Sequence, residues 1–162
     1  MKILLSVDGS SYTKKMLAYL VTHDEVFHSN NDFTVMTVQP PVPTRARAAV
    51  GKDVVDNYYT SESEKVISPV HKFLMRHGIN AKTATKVGQI GETIGKFADD
   101  GKFDMLIMGS HGNGSIVNMV MGSVATKVLA NCKTPVLLIR SIVERARGAD
   151  WRWMYPWLQS PN

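Results

Sequence analysis

Short apolar runs alternate along most of the chain with segments of helical periodicity. The first run, Lys2 to Val7, precedes a segment in which Met16, Leu17, Leu20 and Val21 recur on one helix face. The predicted strands are residues 2–7, 33–38, 80–87, 105–108 and 135–139. Since strands that alternate with helices form parallel sheets covered on both faces, we predict an α/β fold with a three-layer, doubly wound, five-stranded parallel sheet.

The segment between the second and third strands has a less regular pattern. Residues 40–51 contain three prolines and two arginines, so we expect a connection without regular structure there. A long helix is predicted from about Lys52 to His77, with Pro69 kinking or restarting it and Gly78 closing it. The third strand is weakly apolar, which favours a place near the sheet edge.

Composition narrows the class of protein. With 162 residues, 44% of them hydrophobic, the chain has material for one compact core. The single cysteine, Cys132, cannot form an internal disulfide, and no apolar signal stretch is visible, so we expect a cytoplasmic protein. The formal charge of +5 is spread along the chain except near Arg140 to Arg152, which argues against a dedicated nucleic-acid binder.

The most informative motif follows the fourth predicted strand. It reads Gly109-Ser110-His111-Gly112, then nine residues, then Gly122-Ser123 at the start of a helical segment. Glycines let the backbone approach an anion or adopt positive φ, and a helix N-terminus supplies unpaired N–H groups and positive potential. This order of strand, glycine loop and helix predicts a phosphate site. If the first and fourth strands are neighbours, Asp8 opens into the same crevice.

Three segments carry a family resemblance: the opening KILLSVDGS, the Val87-Gly88 turn, and the run from Met105 to Arg140. Together they resemble the universal stress protein family over about residues 1–141. The signature of its ATP-binding branch is Gly, two residues, Gly, nine residues, Gly, then Ser or Thr, which this chain fills completely. The resemblance implies an adenine nucleotide alpha hydrolase-like sheet with strand order 3-2-1-4-5. It further implies bound ATP, with or without Mg²⁺, and a homodimer through the Val136 to Ile139 strand.

The resemblance also implies roles for individual residues. It places Asp8 at the ribose, Val38 and Met108 at the adenine, and the backbone of the glycine loop at the phosphates. Ser6 and Ile90 stand where relatives commonly have proline, which concerns the adenine side. The expected nucleotide-binding residues are Ser6, Val7, Asp8, Val38, Met108, Gly109, His111, Gly112, Gly122, Ser123 and Val124.

Several of these residues have competing interpretations. Asp8 could instead cap the first helix, and Gly109 and Gly112 could serve only a tight turn. Ser123 could cap its helix, bind phosphate or do both. His111 is the nearby side chain that could approach the phosphates, but a solvated loop position is the favoured interpretation.

The glycine loop lacks the charged residues that phosphoryl transfer usually requires. A Walker loop places a lysine directly after its last glycine, whereas Ser123 and Val124 follow Gly122 here and Lys127 comes more than a turn later. No second acid accompanies Asp8 to hold a metal, and we expect no catalytic residue and no metal site. The predicted function is therefore a nucleotide-dependent stress-response regulator that holds ATP with slow or no hydrolysis. The alternatives are a weak ATPase, completed by the Arg45 to Arg47 segment or a partner's arginine, and a protein-interaction module with a structural nucleotide and a functional C-terminal tail.

Residues 142–162 form a tail rich in Arg and Trp that carries all three tryptophans of the chain. Exposed aromatic surface of this size is costly, so we expect the tail to pack on its own domain or on a partner copy. The alternative is that Trp151 to Leu158 docks on another protein or on an anionic membrane surface.

Overall fold

A computed structural model describes residues 1–112 and 121–140. Its five strands form one all-parallel sheet in the order β3-β2-β1-β4-β5, which confirms the predicted fold and strand order. The strands are β1 Lys2–Ser6, β2 Asp32–Gln39, β3 Lys82–Val87, β4 Met105–Gly109 and β5 Val136–Ile139. The helices are α1 Ser11–Thr22, α2 Thr44–Val50, α3 Lys52–Arg76, α4 Ile90–Asp100 and α5 Ser123–Asn131.

The sheet separates two apolar clusters. Alternate strand residues point to opposite faces, so Ile3 and Leu5 pack under α1 and α3 while Leu4 packs under α4 and α5. The first cluster includes Met16 of α1 and Leu74 of α3, both fully buried. This two-sided burial explains why the central strands have nearly continuous apolar sequences.

Strand β1 lies between β2 and β4, and this is where the strand order reverses. Ser6 at its end is in register with Met36 of β2 and with Met108 of β4. In doubly wound sheets the carboxyl ends of the strands on either side of such a reversal border a crevice. The chain segments that follow β1 and β4, including Asp8 and Gly109, therefore meet at one edge of the sheet.

Two predictions about the second crossover need correction: residues 40–51 contain a helix, and of the two outcomes expected at Pro69, a kink or a restart, the restart does not occur. Residues 44–50 form helix α2, because the last proline, Pro43, occupies its N-cap, where a proline needs no backbone hydrogen bond. Helix α3 is a single helix with Pro69 inside it. Its apolar residues on both sides of Pro69, among them Val66 and Phe73, pack on the same cluster, and this packing offsets one missing backbone bond.

Other local predictions were confirmed. The helix ends before Gly78, whose φ of +74° is the left-handed conformation typical of a helix terminator. Strand β3 is at the sheet edge, and most of its residues are exposed. Within the described part of the chain, no helix is both long and apolar enough to span a membrane.

Asp99 joins the end of α4 to the turn between α5 and β5. Its carboxylate accepts the backbone N–H of Lys133 at 3.0 Å, the N–H of Thr134 at 2.9 Å and the Thr134 hydroxyl at 2.8 Å. These hydrogen bonds, first the one from Lys133 and then that from the Thr134 side chain, lower the pKa of Asp99. These hydrogen bonds hold the end of α4 against the turn that leads into the edge strand β5.

We predict that Asp99→Asn lowers stability at neutral pH and that its difference from the wild type shrinks in acid. A carboxyl group whose folded pKa is lowered stabilises fully above its unfolded pKa of about 3.9. That contribution is lost as the pH falls through the lowered folded value. Urea denaturation of both proteins between pH 2.5 and 7 measures the difference, at roughly half-unit steps of pH.

Asp100→Asn is the matched control for this measurement. Asp100 is the next residue, is exposed, and pairs only on the surface with Lys96 at 2.9 Å. Exposed ion pairs contribute little to stability, so this variant should match the wild type throughout. A difference for Asp99→Asn that stays constant down to the lowest pH would contradict the prediction.

Candidate functional site

A cavity of about 380 Å³ lies at the carboxyl edge of the sheet, where β1, β2 and β4 end. This volume is in the range of small-ligand sites. All eleven residues predicted for nucleotide binding line it, although their binding role stays a prediction. Eight further residues line it as well: Thr13, Thr37, Gln39, Pro40, Val66, Ile90, Ile94 and Ala125.

The three signature glycines lie in close contact with neighbouring residues. A Cβ at Gly109 would lie 2.7 Å from the Cβ of Tyr12, and one at Gly112 would lie 2.6 Å from Oδ2 of Asp8. A Cβ at Gly122 would lie 3.1 Å from the Cα of His111. None of the three has a positive φ, so the backbone conformation alone does not demand glycine. The glycines let the loop after β4 pack against α1, Asp8 and the start of α5.

The start of α5 differs from the prediction in two ways. Gly122 occupies the N-cap, so Ser123 is the first helical residue and does not occupy the capping position predicted for it. The N–H of Gly122 donates to the carbonyl of Ser110 at 2.8 Å, so it is already used within the protein. The first helical N–H groups, beginning with Ser123 and Val124, remain the donors that a helix N-terminus offers to an anion.

Asp8 is held in place at the rim of the cavity. Its Oδ1 accepts the N–H of Ser10 at 3.0 Å and the hydroxyl of Thr13 at 2.8 Å, while its own N–H donates to that hydroxyl oxygen at 3.1 Å. The helix cap is Ser10, whose side chain accepts from the N–H of Thr13. The capping interpretation of Asp8 was therefore wrong, and its exposed carboxylate is oriented by α1 without capping it.

His111 is buried, with 8% of its surface exposed, so the interpretation as a solvated loop residue was wrong. Its ring lies 5.0 Å from the ring of Tyr12, and its Nδ1 lies 2.9 Å from Oγ of Ser110. These contacts come from the residue before it and from α1. His111 thus forms part of the cavity wall beside the glycine loop.

The cavity has an apolar side and a polar side. Toward α4 and α5, Val38 and Met108 are buried, and Ile94 and Ala125 lie beside them. Toward α1 and α3, the hydroxyl groups of Thr13 and Thr37 and the Asp8 carboxylate join Val7 and Val66 in the lining. An apolar wall suits a flat base, whereas hydroxyls and a carboxylate suit a sugar.

Several other candidate groups lie away from this cavity. Arg45 and Arg47 are exposed on α2, and Lys127 is exposed on α5, with its Cβ facing Gly91. None of the three lines the cavity. No cluster of three potential metal ligands occurs among residues 1–112 and 121–140. The Trp151 to Leu158 segment lies outside the described residues.

Cys132 is half-buried at the end of α5. Burial is the main cause of the raised pKa of its thiol, and its Sγ lies 3.6 Å from Oδ1 of Asp99. A raised pKa disfavours the reactive thiolate. This environment favours a structural thiol over a reactive one.

The family model described as "Universal stress protein family" matches residues 1–140, most of the chain. The chain belongs to the universal stress protein family. Among its curated relatives, universal stress protein MJ0531 of Methanocaldococcus jannaschii is 24% identical over 140 residues, which are 86% of this chain and 81% of the relative.

Solved structures of similar proteins share the fold. The structure of MJ0577 from Methanocaldococcus jannaschii matches with a TM-score of 0.69 and 26% identity, over 86% of this chain and 95% of that one. The universal stress protein from Archaeoglobus fulgidus, solved in complex with dAMP, matches with a TM-score of 0.61 and 18% identity. That match covers 86% of this chain and 98% of the other, and at this identity it shows the fold alone.

Sequence reasoning missed two buried threonines of this universal stress protein cavity. Thr13 lies in the segment of helical periodicity that became α1, where a single threonine does not stand out. Its position three residues after the capping Ser10 was the available signal. Thr37 continues the two-residue spacing of Phe33 and Val35 in β2. A polar residue on an otherwise buried strand face was the signal that could have identified it.

Proposed function

We propose that this universal stress protein is an ATP-binding, nucleotide-dependent regulator that holds its ligand with slow or no hydrolysis. The supporting observation is that one cavity combines an oriented carboxylate, an apolar wall, a glycine loop and a helix N-terminus. Each part suits a different part of an adenine nucleotide. A cytoplasmic location is part of the proposal, and it suits a chain with a single cysteine.

The order of the parts gives the orientation of the ligand. The Asp8 carboxylate repels phosphates and accepts hydroxyl protons, so the ribose belongs beside it. The base then lies on the apolar side, between Val38 and Met108, and the phosphates extend toward the start of α5. The dAMP complex of the Archaeoglobus fulgidus relative supports an adenine nucleotide as the ligand class.

Charged groups at the cavity are scarce, which supports retention over turnover. Among the described residues that line it, Asp8 is the sole acid, and no lysine or arginine is present. Residues 113–120, NGSIVNMV, contain no charged side chain. Little would therefore stabilise the charge that develops on a transferred phosphoryl group or hold Mg²⁺ beyond the nucleotide's own phosphates.

Asp8→Asn tests the proposed ribose contact. Asparagine keeps one acceptor oxygen for Ser10 and Thr13 but replaces the second carboxylate oxygen by a donor. We expect the affinity for ATP to fall about 10- to 100-fold, because hydrogen bonds to a charged group contribute roughly 1.5–3 kcal/mol. Isothermal titration of nucleotide-free protein, prepared by denaturation and refolding, measures the change.

Asp24→Asn is the control, since Asp24 is exposed in the turn after α1 and does not line the cavity. It should bind ATP as the wild type does. Two observations together would refute the proposed function: no adenine nucleotide released on denaturing the purified protein, and no binding of added ATP. ATP binding that is unchanged in Asp8→Asn would refute the ribose role of that carboxylate.

Slow hydrolysis is a separate prediction. We expect phosphate release with Mg²⁺ no faster than about one turnover per hour, the order of magnitude of a GTPase without its arginine finger. Phosphate release followed over a day, with and without Mg²⁺, measures it. Faster turnover that is lost in Gly122→Val would favour the ATPase alternative.

A homodimer through β5 completes the proposal. Within the described part of the chain, β5 pairs on one side only, with β4. The carbonyl of Pro135 accepts from Leu106 of β4 at 2.8 Å, and that of Ile139 accepts from Ser110, just after β4, at 3.0 Å. The N–H groups of Val136 and Leu138 therefore point to the open edge. An unpaired apolar edge is a template for a second copy.

The outward N–H of Leu138 provides the test for the dimer. Leu138→Pro removes this donor, whereas Leu138→Ala removes most of the same side chain and keeps the donor. We expect the wild type and Leu138→Ala to sediment at twice the mass of one chain and Leu138→Pro to sediment as a monomer. A monomeric wild type at high micromolar concentration would contradict the proposed dimer.

A further inference from the structure

The Thr37 hydroxyl is a buried polar group in the wall of the cavity. Only 2% of Thr37 is exposed, and it lines the cavity. Within the described part of the chain, the Thr37 side chain makes no hydrogen bond. Every fully buried side-chain nitrogen or oxygen there does have a hydrogen-bond partner, so the Thr37 hydroxyl is not fully enclosed by protein. The hydroxyl therefore opens into the cavity. A buried hydroxyl without a partner is costly, so a ligand or a water molecule must satisfy it.

The sheet register places this hydroxyl beside Asp8. Ser6 pairs with Met36, and the N–H of Val7 donates to the carbonyl of Met36 at 2.9 Å, so Thr37 lies next to Val7 on the neighbouring strand. Adjacent strands are about 4.8 Å apart. Thr37 is thus one residue away from the level of Asp8.

Both groups lie on the same side of the sheet. Thr37 continues the spacing of Phe33 and Val35, which pack under α1 and α3. The Asp8 carboxylate is turned toward α1 by the Thr13 hydroxyl at 2.8 Å. Two polar groups therefore converge on the polar side of the cavity, opposite the apolar wall.

We propose that Thr37 is a ribose-recognition residue, whose hydroxyl hydrogen-bonds one of the two sugar hydroxyls while Asp8 binds the other. This inference rests on the proposed adenine nucleotide site. Oδ1 of Asp8 already accepts two hydrogen bonds within the protein. The buried Thr37 hydroxyl needs a partner of its own at the cavity, and because a hydroxyl can both donate and accept, it fits either orientation of the ribose hydroxyl.

The inference makes Thr37 a determinant of the preference for ribonucleotides over deoxyribonucleotides. Removing either the Thr37 hydroxyl or the ribose hydroxyl that it contacts removes one neutral hydrogen bond from the complex. The net value of such a bond corresponds to roughly 3- to 10-fold in affinity. The loss should be confined to ligands that carry the hydroxyl that Thr37 contacts.

The test compares ATP, 2′-deoxy-ATP and 3′-deoxy-ATP by calorimetric titration of nucleotide-free protein. We expect the wild type to bind one of the deoxy analogues about 3- to 10-fold more weakly than ATP because of Thr37. Thr37→Val, which has nearly the same shape, should bind ATP and that analogue equally well. Thr37→Ser, which keeps the hydroxyl, should restore the preference.

Thr34→Val is the matched control. Thr34 lies in the same strand, is 7% exposed, points to the opposite face by strand alternation, and does not line the cavity. It should bind all three nucleotides as the wild type does. Thermal unfolding of each variant checks that the fold is retained.

The possible outcomes distinguish a failure of this inference from a failure of the proposed nucleotide-binding function. A wild type that binds no adenine nucleotide overturns both. A wild type that binds ATP, with Thr37→Val unchanged, overturns the role of Thr37 alone. An equal loss for all three nucleotides in Thr37→Val also overturns it, because such a loss indicates a general structural effect.

Discussion

The close approach of the end of β1 to the loop after β4 is the constraint on which the site depends. Oδ2 of Asp8 lies where a Cβ at position 112 would be only 2.6 Å away, so any side chain there would displace it. This contact exists because β1 is paired with both β2 and β4 at the reversal of strand order. The reversal brings the carboxylate and the glycine loop to the two sides of one crevice.

The same arrangement accounts for the division of the cavity. Residues at successive positions near a strand end point to opposite faces, so Thr37 and Val38 contribute to different sides. Val38 belongs to the apolar side, which packs against α4 and α5. Thr37 belongs to the other side, with the hydroxyl groups and the carboxylate near α1. A ligand with a flat base, a polar sugar and an anionic tail matches this distribution without large rearrangement. The scarcity of charge among the described residues of the cavity supports the proposal that the protein binds its nucleotide without efficient phosphoryl transfer.

The predictions from the sequence succeeded where the pattern of residues along a segment decides both its local structure and its place in the fold. The five strands and their order follow from apolar periodicity together with the family resemblance, and the glycine spacing identified the loop. They failed where neighbours in space decide the outcome. Residues 44–50 are helical despite the prolines before them, and α3 continues through Pro69 because its apolar face is packed on the sheet. His111 is buried, with its ring beside that of Tyr12 and its Nδ1 beside Oγ of Ser110.

The amino-acid sequence by itself determined the layered α/β fold, the family and eleven of the nineteen residues that border the cavity, because hydrophobic spacing and glycine spacing can be recognised in the chain. Only the tertiary structure decided what those residues do for one another. It made Ser10 and not Asp8 the cap of α1, assigned the N–H of Gly122 to Ser110, and turned the Thr37 hydroxyl into the cavity. The physical reason is that hydrogen bonds and close contacts depend on distances between strands and helices that are remote in sequence, and pairing of β1 with β2 and β4 sets those distances.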